Sequence, residues 1–509
     1  MSQLSIGIGI KLDIAKALAV EAVDAQLFDD LESWWALEEA AGAGARFDSH
    51  GLNDLTAVNT PGQGTLVVGN AVDLDIGALE YLSIVSNSSL QTGNVDHCFA
   101  GWVKPETTAV AGTILGKDGG GSAREYLLYL SAGVPIFALY DGDSTEVRRC
   151  TWGSALSDGT THFIVASYDS VTGTASLNVD DGTPITDDTG GTPGVDTTVF
   201  EIGNRIGSSL QYDGLLDEWA YWKDYIPTAE EQTWLFNSGS GRSYVELLEY
   251  TGQTVYPLDG ISNVNAAYSV RRLKTRYTGD LVRLRRDSDD AELDFGYNAN
   301  GELDTAAIST WLTATTGYVV TWYDQSGLGE DATEATQSKQ PLYVASGIGS
   351  KPSFNTVDAT TNLRKSWSGG VITQPNSYLT VLNRATSGVN EYLFDSHGAN
   401  RNVLTGDWWF AGAQNFYTDR GGVDDIFSMI FDGVSSELWA QGVSIDTGNT
   451  GVASTDGVII FNRAAEDSAP TDAMMSEWIF YNGSIPVAEH NTIGESMSAY
   501  FGISWTPVT

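Results

Sequence analysis

Positively charged residues are scarce in this chain. Its 509 residues include 26 Lys and Arg against 66 Asp and Glu, so the formal net charge at pH 7 is −40. Binding to a nucleic-acid backbone or to an anionic membrane requires clustered Lys and Arg side chains. The charge balance therefore argues against nucleic acids and membranes as partners. Three uses of the acidic surplus stay open: solubility, tolerance of a salty medium, and oxygen ligands for divalent cations.

Cysteines and long apolar segments are also scarce. The two cysteines, Cys98 and Cys150, form no CxxC pattern, which argues against a zinc site or a thioredoxin-like motif. Cys98 lies within an apolar, strand-like run, so we expect a buried free thiol there. No apolar stretch approaches the roughly 18 to 20 residues of a membrane-spanning helix. The segment Met1–Lys16 has no basic residue before its apolar part, so we expect no standard signal peptide.

Glycine and aromatic residues, by contrast, are abundant. The chain has 56 Gly, 15 Trp, 22 Tyr and 17 Phe. Turns separated by roughly 8 to 12 residues of short strand are typical of a β-sandwich or barrel. In the alternating segment Asp96–Pro105, we expect Cys98, Ala100 and Trp102 to share one face. Further short strands are predicted at Thr113–Lys117, Tyr126–Leu130, Pro135–Tyr140, His162–Asp169 and Thr174–Asp180.

Two motifs recur in the same order in the two halves of the chain. The pattern E-W-x6-I-P-x-A-E begins at Glu218 and again at Glu477. Upstream of each copy, the turn Asp48–Thr56 (DSHGLNDLT) resembles Asp324–Thr333 (DQSGLGEDAT). We interpret each E-W pattern as a last core strand followed by a helix with proline at its first position. Matched motifs in matched order predict two similar sandwiches in tandem.

The repeat divides the chain into three parts. Residues 1–28 form an N-terminal arm, in which Ser5–Ile10 alternates like a strand and Asp13–Leu27 is predicted to be an amphipathic helix. The arm is either a simple lead-in or a docking element for a larger assembly. One sandwich is predicted over residues 29–246 and another over residues 247–509. The predicted fold class is all-β, with two tandem jelly-roll sandwiches behind a short arm.

The first predicted sandwich resembles the laminin-G-like, concanavalin A-like jelly rolls. The resemblance is carried by the Asp48 turn, by Gly101–Pro105 (GWVKP), by His162–Asp169 and by Gly214–Trp219 (GLLDEW). It covers about residues 30–245, and its specificity comes from the order and spacing of these short motifs. The resemblance implies a lectin-like fold.

The second predicted sandwich resembles the catalytic-domain family of fungal-type α-L-arabinofuranosidases, which is itself concanavalin A-like. The coverage is about residues 255–505. This arabinofuranosidase-like type of domain is also similar to modules of tailed-phage virions that serve as fibres, appendages or decorations. The residues that carry the resemblance are Ala267–Leu273 (AYSVRRL), Leu281–Arg286 (LVRLRR), Asp294–Tyr297 (DFGY) and Thr321–Gly327 (TWYDQSG).

The arabinofuranosidase resemblance implies a retaining glycosidase, which needs two carboxyl groups about 5 Å apart. In the family, the nucleophilic Glu follows a Phe-Asp strand end by a few residues. Here the aligned position holds Asn400, whose amide cannot form the glycosyl ester. A shifted alignment would bring in Asp395 instead, and the acid/base role would fall to Glu466 or Asp467. We therefore assign no catalytic residue and expect the fold without the hydrolase activity.

The repeated turns offer oxygen ligands for a metal ion. Asp48, Asn53 and Asp54 converge in the first turn and form a candidate calcium site. The second turn, Asp324–Asp331, holds a similar set of oxygens. The alternative is that these side chains cap their own turns through the backbone. Calcium is therefore the one cofactor that the sequence suggests.

The densest aromatic cluster runs from Trp408 to Tyr417. Flat aromatic side chains can stack on the apolar faces of sugar rings, so Trp408, Trp409 and Tyr417 are candidate carbohydrate-binding residues. Because neighbours on a strand face opposite ways, we expect one of the two tryptophans to be exposed or at an interface. The alternative for the whole cluster is core packing.

The segment Arg271–Arg286 holds 7 of the 26 basic residues of the chain. Nucleic-acid binding would require exposed aromatic residues between them and a basic domain around them. We expect these side chains to pair with the acidic surplus instead, within the chain or across subunits.

Together these features predict a structural protein on the virion surface of a tailed phage, assembled in the host cytoplasm. The arm would attach it to other virion proteins, the sandwiches would bind host glycans, and a homo-oligomer, with a trimer favoured, is expected. No heptad run is visible, which favours a compact capsid decoration or appendage over a complete tail fibre. The alternatives are a glycoside hydrolase acting on surface polysaccharide and a bacterial surface adhesin. Asn400 argues against the hydrolase, and the N-terminal sequence argues against the adhesin.

Overall fold

The structure is a computed structural model that describes residues 26–106, 112–156, 159–206, 210–384, 392–398, 401–418, 420–463 and 472–509. The chain divides into two compact units, Met1–Val255 and Tyr256–Thr509. Strands hold 41% of the residues and helices 12%, which confirms the predicted all-β sandwich class. Among the described residues, no helix has the length and apolar character that a membrane span would need.

The first unit consists of short strands with a few short helices at its two ends. The helices are α1 (Gln26–Asp29), α2 (Ala229–Phe236) and α3 (Tyr244–Tyr250). The strands are β1 (Leu31–Trp35), β2 (Ala45–Arg46), β3 (Leu55–Val58), β4 (Gly62–Thr65), β5 (Asn70–Leu74), β6 (Tyr81–Ile84), β7 (His97–Pro105), β8 (Gly112–Asp118), β9 (Arg124–Ser131), β10 (Val134–Tyr140), β11 (Glu146–Thr151), β12 (His162–Asp169), β13 (Thr174–Val179), β14 (Ile185–Asp187), β15 (Phe200–Ile202) and β16 (Gly214–Lys223).

These strands form two eight-stranded antiparallel sheets. The sheet that we call the β7 sheet has the order β14-β13-β12-β7-β16-β5-β4, with β1 paired to β16. The other, the β9 sheet, has the order β11-β10-β9-β8-β15-β6-β3-β2. The strands predicted between Asp96 and Asp180 are all present, and β12 has the predicted bounds.

The β7 sheet is apolar on both faces. On β7 itself, Phe99 and Val103 belong to the main core, together with residues of the β9 sheet. Cys98, Ala100 and Trp102 share the opposite face, as the alternation predicted, and pack in a second core with residues of α2 and α3. The two helices therefore cover a sheet face that would otherwise be exposed to water. Cys98 is a free, buried thiol as expected, and burial raises its pKa far above the ordinary range.

Helix α2 begins with a capping box. The hydroxyl of Thr228 accepts the backbone N–H of Glu231, whose carboxylate accepts the N–H of Thr228. Pro227 therefore lies before the N-cap, and in the second unit Pro486 is itself the N-cap of the matching helix. The expectation that each proline occupies the first helical position is wrong, because Pro227 lies two residues before the first helical residue and Pro486 one residue before it.

The N-terminal arm lies almost entirely outside the described residues. That applies to Ser5–Ile10 and to most of Asp13–Leu27. Its last residues belong to α1, in which Leu27 is buried in the second core and its carbonyl accepts the indole N–H of Trp222 at 2.8 Å. At the other end, α3 includes residue 246, the predicted end of the first sandwich.

In its described residues, the second unit has more strands than the first and two α-helices. The helices are α4 (Thr305–Leu312) and α5 (Val487–Phe501). The strands are β17 (Val264–Ser269), β18 (Val282–Arg286), β19 (Glu292–Phe295), β20 (Gly317–Trp322), β21 (Ala332–Thr333), β22 (Leu342–Val344), β23 (Ser353–Asn355), β24 (Leu363–Ser366), β25 (Asn376–Arg384), β26 (Tyr392–Asp395), β27 (Val403–Thr405), β28 (Trp408–Phe410), β29 (Gln414–Phe416), β30 (Asp424–Phe431), β31 (Ser436–Ala440), β32 (Val443–Gly448), β33 (Gly457–Ile460) and β34 (Ala473–Asn482).

These strands form one connected network of antiparallel ladders that closes on itself. At its centre β25 pairs with β30 on one side and with β34 on the other, and β31 and β32 extend from β30. A second run has the order β24-β33-β26-β27-β28-β29. The core between them contains large aromatic side chains, among them Trp322, Tyr378, Trp409 and Trp478. This arrangement places the ends of β25 at opposite ends of the unit.

Candidate functional site

The Asp48 turn lies between β2 and β3 and is hydrogen-bonded to β1. The buried Asp48 carboxylate accepts backbone N–H bonds from Trp34 at 2.9 Å, Gly51 at 2.9 Å and Asn53 at 3.1 Å. The Asp48 N–H donates to the Asp54 carboxylate at 2.7 Å. Burial raises the pKa of Asp48, and the N–H donors oppose that rise. The aspartate therefore stabilises the turn and ties it to the first strand.

The Asp324 turn of the second unit has the same geometry. The Asp324 carboxylate accepts backbone N–H bonds from Ala267 on β17 at 2.9 Å, from Ser326 at 2.9 Å and from Glu330 at 3.1 Å. Its own N–H donates to Asp331 at 2.9 Å, as Asp48 does to its partner. The repeated sequence thus encodes the same bridge between a first strand and a turn in both units.

The oxygens proposed for calcium are arranged as a turn and not as a cation cage. Both carboxylate oxygens of Asp48 face N–H donors, whose positive ends occupy the positions that a cation would take. The amide of Asn53 donates to the hydroxyls of Ser33 and Ser89 and accepts from Asn87 at 2.8 Å. In the part of the chain that the structure describes, no group of three or more His, Cys, Asp or Glu side chains is placed to hold a metal ion. This geometry favours the turn-capping alternative for Asp48, Asn53 and Asp54.

Behind the first turn, two adjacent carboxyl groups are buried on β16. Asp217 accepts the backbone N–H groups of Val67 and Val68 at 3.0 Å each, and Glu218 accepts the indole N–H of Trp34. Burial raises the pKa of Asp217 to about 8, and Glu38 adds to the rise. Burial and the neighbouring Asp217 raise the pKa of Glu218 well above the ordinary range. The site therefore favours the neutral carboxyl form.

The corresponding glutamate of the second unit has a cationic partner. Glu477 on β34 accepts from the guanidinium of Arg271 at 2.8 Å and 2.9 Å, and from the hydroxyl of Ser269 at 2.7 Å. The side chain of Glu477 is fully buried and that of Arg271 is 9% exposed. A bidentate, charge-assisted pair of this kind fixes both side chains.

Several other members of the basic segment also pair with acids. Arg283 binds Asp294 at 2.6 Å, and Arg285 and Arg286 bind carboxylates of the turn between β18 and β19. Arg272 lies over the rings of Tyr256 and Tyr297. The expected pairing with the acidic surplus is confirmed for Arg283, Arg285 and Arg286, as it is for Arg271.

The candidate sugar-binding aromatics are buried. Trp408 is 8% exposed, Trp409 0% and Tyr417 8%, so the expectation that one tryptophan is exposed is wrong. Trp409 and Tyr417 pack in the main core, whereas Trp408 points the other way and packs with Tyr392 and Val403. The prediction that the two tryptophans face opposite ways was correct, but Tyr392 and Val403 cover the outward ring of Trp408. None of the three rings presents an open face to a ligand.

The strand end aligned with the family nucleophile contains a closed ion pair. Asp395 is fully buried, and the guanidinium of Arg401 donates to its carboxylate at 2.6 Å and 3.1 Å. Asn400, Glu466 and Asp467 lie outside the described residues. In the described part, Asp395 is therefore held by a cation rather than open to a sugar.

A polar groove that the sequence did not indicate lies at one end of the second unit. It has a volume of about 510 Å³ and is lined by the end of β25, the start of β30, the turn after β31 and the residues after α5. Asp424 is held on its wall by the Asn383 amide at 2.5 Å and by the Gly349 N–H at 3.1 Å. No motif marks this groove, because its walls come from segments that are far apart in the sequence.

Two protein-family models match the chain. A laminin-G-type model described as "Concanavalin A-like lectin/glucanases superfamily" matches residues 77–231. A model described as "Alpha-L-arabinofuranosidase B, catalytic" matches residues 254–390. The chain thus contains a concanavalin A-like domain and an arabinofuranosidase catalytic-like domain. The second match ends before Asp395 and does not include the strand end where the family nucleophile was aligned.

No curated protein matches the chain. Among solved structures, a GH54 α-L-arabinofuranosidase soaked with a cyclic sulfate inhibitor is 16% identical, with a TM-score of 0.40, and the match covers 48% of this chain and 66% of that one. Domain 4 of AbnA, an arabinanase from Geobacillus stearothermophilus, is 14% identical with a TM-score of 0.32, and the match covers 42% of this chain and 98% of that one. The binding domain of Paraclostridial Mosquitocidal Protein 1 is 11% identical with a TM-score of 0.34, and the match covers 85% of this chain and 92% of that one. The chain spans less than two thirds of the arabinofuranosidase structures that it matches, and these likenesses carry no argument about activity.

Proposed function

We propose that this protein is a non-enzymatic, glycan-binding structural component of a particle surface, as in the capsid decorations, appendages or fibres of tailed phages. The observation that carries the non-enzymatic part is the buried pair of Asp395 and Arg401. A glycosidase nucleophile must bring a free carboxylate oxygen to the sugar carbon. In this pair the guanidinium holds the carboxylate inside the protein.

The binding part of the proposal is supported by the fold. The first unit matches a concanavalin A-like lectin/glucanase model, and the second matches an arabinofuranosidase catalytic model, so both resemble proteins that bind saccharides. Such a fold hosts many functions, so the chemistry of a particular site must decide which ligand is bound. The strongly acidic surface adds a preference for neutral or cationic partners over anionic ones.

The proposed assembly consists of a homo-oligomer, with a trimer favoured, attached to other particle proteins through the N-terminal arm. Light scattering on the full chain tests the oligomer, and deletion of residues 1–25 tests the arm. This deletion spares Leu27, whose burial in the first unit would otherwise confound the result. We expect a trimer or larger ring that resists chelation and is weakened by the deletion.

A monomer in the full chain would contradict the assembled part. The chelation arm of the same experiment also tests calcium, because a calcium-held oligomer or fold would lose mass or thermal stability. We expect neither loss, since the Asp48 turn is satisfied by N–H donors.

A glycoside hydrolase is the second candidate, and the match of residues 254–390 to an arabinofuranosidase catalytic model favours it. Incubation with an aryl α-L-arabinofuranoside tests this directly. We expect no release above the blank, in wild type and in Asp395→Asn alike. Cleavage by the wild type that is lost in Asp395→Asn would overturn the non-enzymatic proposal.

A further inference from the structure

We propose that the groove beside Asp424 is a binding site for neutral saccharides, which deepens the proposed function and rests on it. The groove belongs wholly to the second unit, and Gly349, Asn383, Asp424, Gln441 and Ser504 contribute to its walls. It lies apart from the strand end that the arabinofuranosidase resemblance points to. Three features carry the assignment: its position, its fixed polar groups and its adjoining second groove.

The position of the groove is fixed by β25. The side-chain amide of Asn376, at the start of this strand, lies within hydrogen-bond distance of Asn402, so that end adjoins the Asp395–Arg401 pair. Asn383 lies seven residues further along the same strand. At roughly 3.3 Å per residue, Asn376 and Asn383 are about 23 Å apart along the strand. Asp395 is fully buried and does not line the groove, so a sugar bound there would not contact it.

The polar groups of the groove are held in place before any ligand arrives. Asp424 accepts from the Asn383 amide and from the Gly349 N–H through different carboxylate oxygens. Each carboxylate oxygen can accept two hydrogen bonds, so both retain acceptor capacity toward a hydroxyl group. The side chain of Gln441 contacts the neighbouring Asp425, whose charge is compensated by Arg420. A fixed carboxylate beside amide groups suits a ligand that is rich in hydroxyl donors.

Two exposed glycines contribute bare backbone to the lining of the groove. A Cβ placed on Gly502 or Gly422 would have no heavy atom within 4 Å, so these glycines face open space. A ring can therefore approach the main chain closely at this point. The partly exposed carboxylate of Asp424 opposes acidic sugars, and the chain as a whole is strongly acidic. Both facts favour a neutral saccharide over a sialylated, uronic or phosphorylated one.

The site is long enough for more than one sugar ring. A second groove of about 450 Å³, lined by Thr418, Arg420 and Ile445, shares Val423 with the first. Val423 is 43% exposed and forms the apolar ridge between them. Apolar ridges flanked by polar groups fit the alternating apolar faces and hydroxyl edges of an oligosaccharide.

The test uses the full chain and a set of neutral trisaccharides, namely arabino-, xylo-, cello-, malto-, galacto- and mannotriose, with a trigalacturonide as the acidic probe. Binding is measured by saturation-transfer NMR and titration calorimetry. Asp424→Asn removes the charge and one acceptor, and Ser504→Trp fills the groove from an exposed position. Ser435→Trp is the matched control, because Ser435 is also exposed but follows β30 at the opposite end of the unit.

We expect at least one neutral trisaccharide to bind and the trigalacturonide to bind at least about tenfold more weakly. Both groove variants should weaken the neutral ligand at least about tenfold, whereas Ser435→Trp should leave its affinity unchanged. Neutral binding that survives both groove variants would overturn this site while leaving glycan binding by the protein intact. Preference for the acidic probe would overturn the assigned chemistry. Absence of binding to every probe would overturn the site and the proposed glycan-binding function together.

Discussion

The two units place a glutamate at the same point of the same strand but surround it with opposite charges. In the first unit Trp35 pairs with Trp219, and in the second unit Tyr268 pairs with Trp478. Three residues beyond each first-strand aromatic, the first unit has Glu38 and the second has Arg271. This comparison shows that the same backbone arrangement can bury a carboxyl group either beside other acids or beside a cation.

The physical reason lies in the protonation state. The guanidinium of Arg271 donates two hydrogen bonds to the Glu477 carboxylate and supplies the opposite charge. In the first unit, Glu38 is a third acid near Asp217 and Glu218, and burial raises the pKa of Glu38 to about 7. A buried acid without a cation avoids the cost of desolvation by keeping its proton. The second unit thus depends on an ion pair and the first on protons.

The largest expected effect comes from breaking the ion pair. Arg271→Met should leave Glu477 buried and uncompensated, lowering the free energy of unfolding by about 3–5 kcal/mol. Hydrogen exchange of β34 peptides, followed by mass spectrometry, measures the loss within the second unit. Adding Glu477→Gln to the variant should recover part of the loss. No recovery would mean that the cost comes from packing and not from charge.

The two aspartate turns should respond alike, in contrast to the two glutamates. Asp48→Ala and Asp324→Ala each leave several buried N–H groups without their acceptor, and each should cost on the order of 3 kcal/mol. Denaturant unfolding of the two variants makes the comparison. If one substitution lowered the free energy of unfolding and the other did not, the two turns would not be equivalent.

The buried acids around β16 should make the stability of the first unit fall as the pH rises. The pKa of Asp217 is raised to about 8 and that of Glu38 to about 7, so both are neutral in the folded state at low pH. Their stabilisation is complete below the ordinary carboxyl pKa and is lost as the pH rises toward 8. Exchange protection of β16 should fall by about 2 kcal/mol between pH 5 and pH 8.

Glu38→Arg sharpens this test, because it places in the first unit the cation that the second unit has. We expect it to flatten the pH dependence of β16, while β34 shows no matching change. If the exchange protection of β16 in Glu38→Arg depended on pH as it does in the wild type, the buried acids of β16 would not control that dependence.

The smallest effect is expected at a half-exposed pair of the same basic segment. Arg283 and Asp294 have side chains that are 40% and 30% exposed, so solvent screens their attraction. Arg283→Met should lower the free energy of unfolding by less than about 1 kcal/mol. A loss as large as that of Arg271→Met would show that burial does not distinguish the two pairs. Thermal unfolding is sufficient for the measurement.

Much of the fold could be predicted because its signals are local. Alternation predicted β7 and β12, and it placed Cys98 and Trp102 on one face. The repeated E-W and Asp-turn motifs predicted matched strands and matched turns. The helix start was placed incorrectly, since the capping role of Thr228 depends on a reciprocal bond with Glu231 that proline spacing alone does not reveal.

The candidate sites were less predictable because exposure is a property of the packed chain. The sequence correctly set Trp408 and Trp409 on opposite faces, but only the packing of Tyr392 and Val403 buries the outward ring. The sequence suggested that the oxygens of Asp48 could bind a cation, but in the structure backbone N–H groups donate to both of them.

The sequence by itself determined the all-β class, the tandem repeat and the scarcity of positive charge. These depend on composition, on a two-residue period and on motifs within a few residues, all of which are local. The tertiary structure decided that Glu477 faces Arg271 while Glu218 faces other acids, and it formed the Asp424 groove from segments over a hundred residues apart. Long-range contacts set burial, and burial sets both the charge state of a carboxyl group and its access to a ligand.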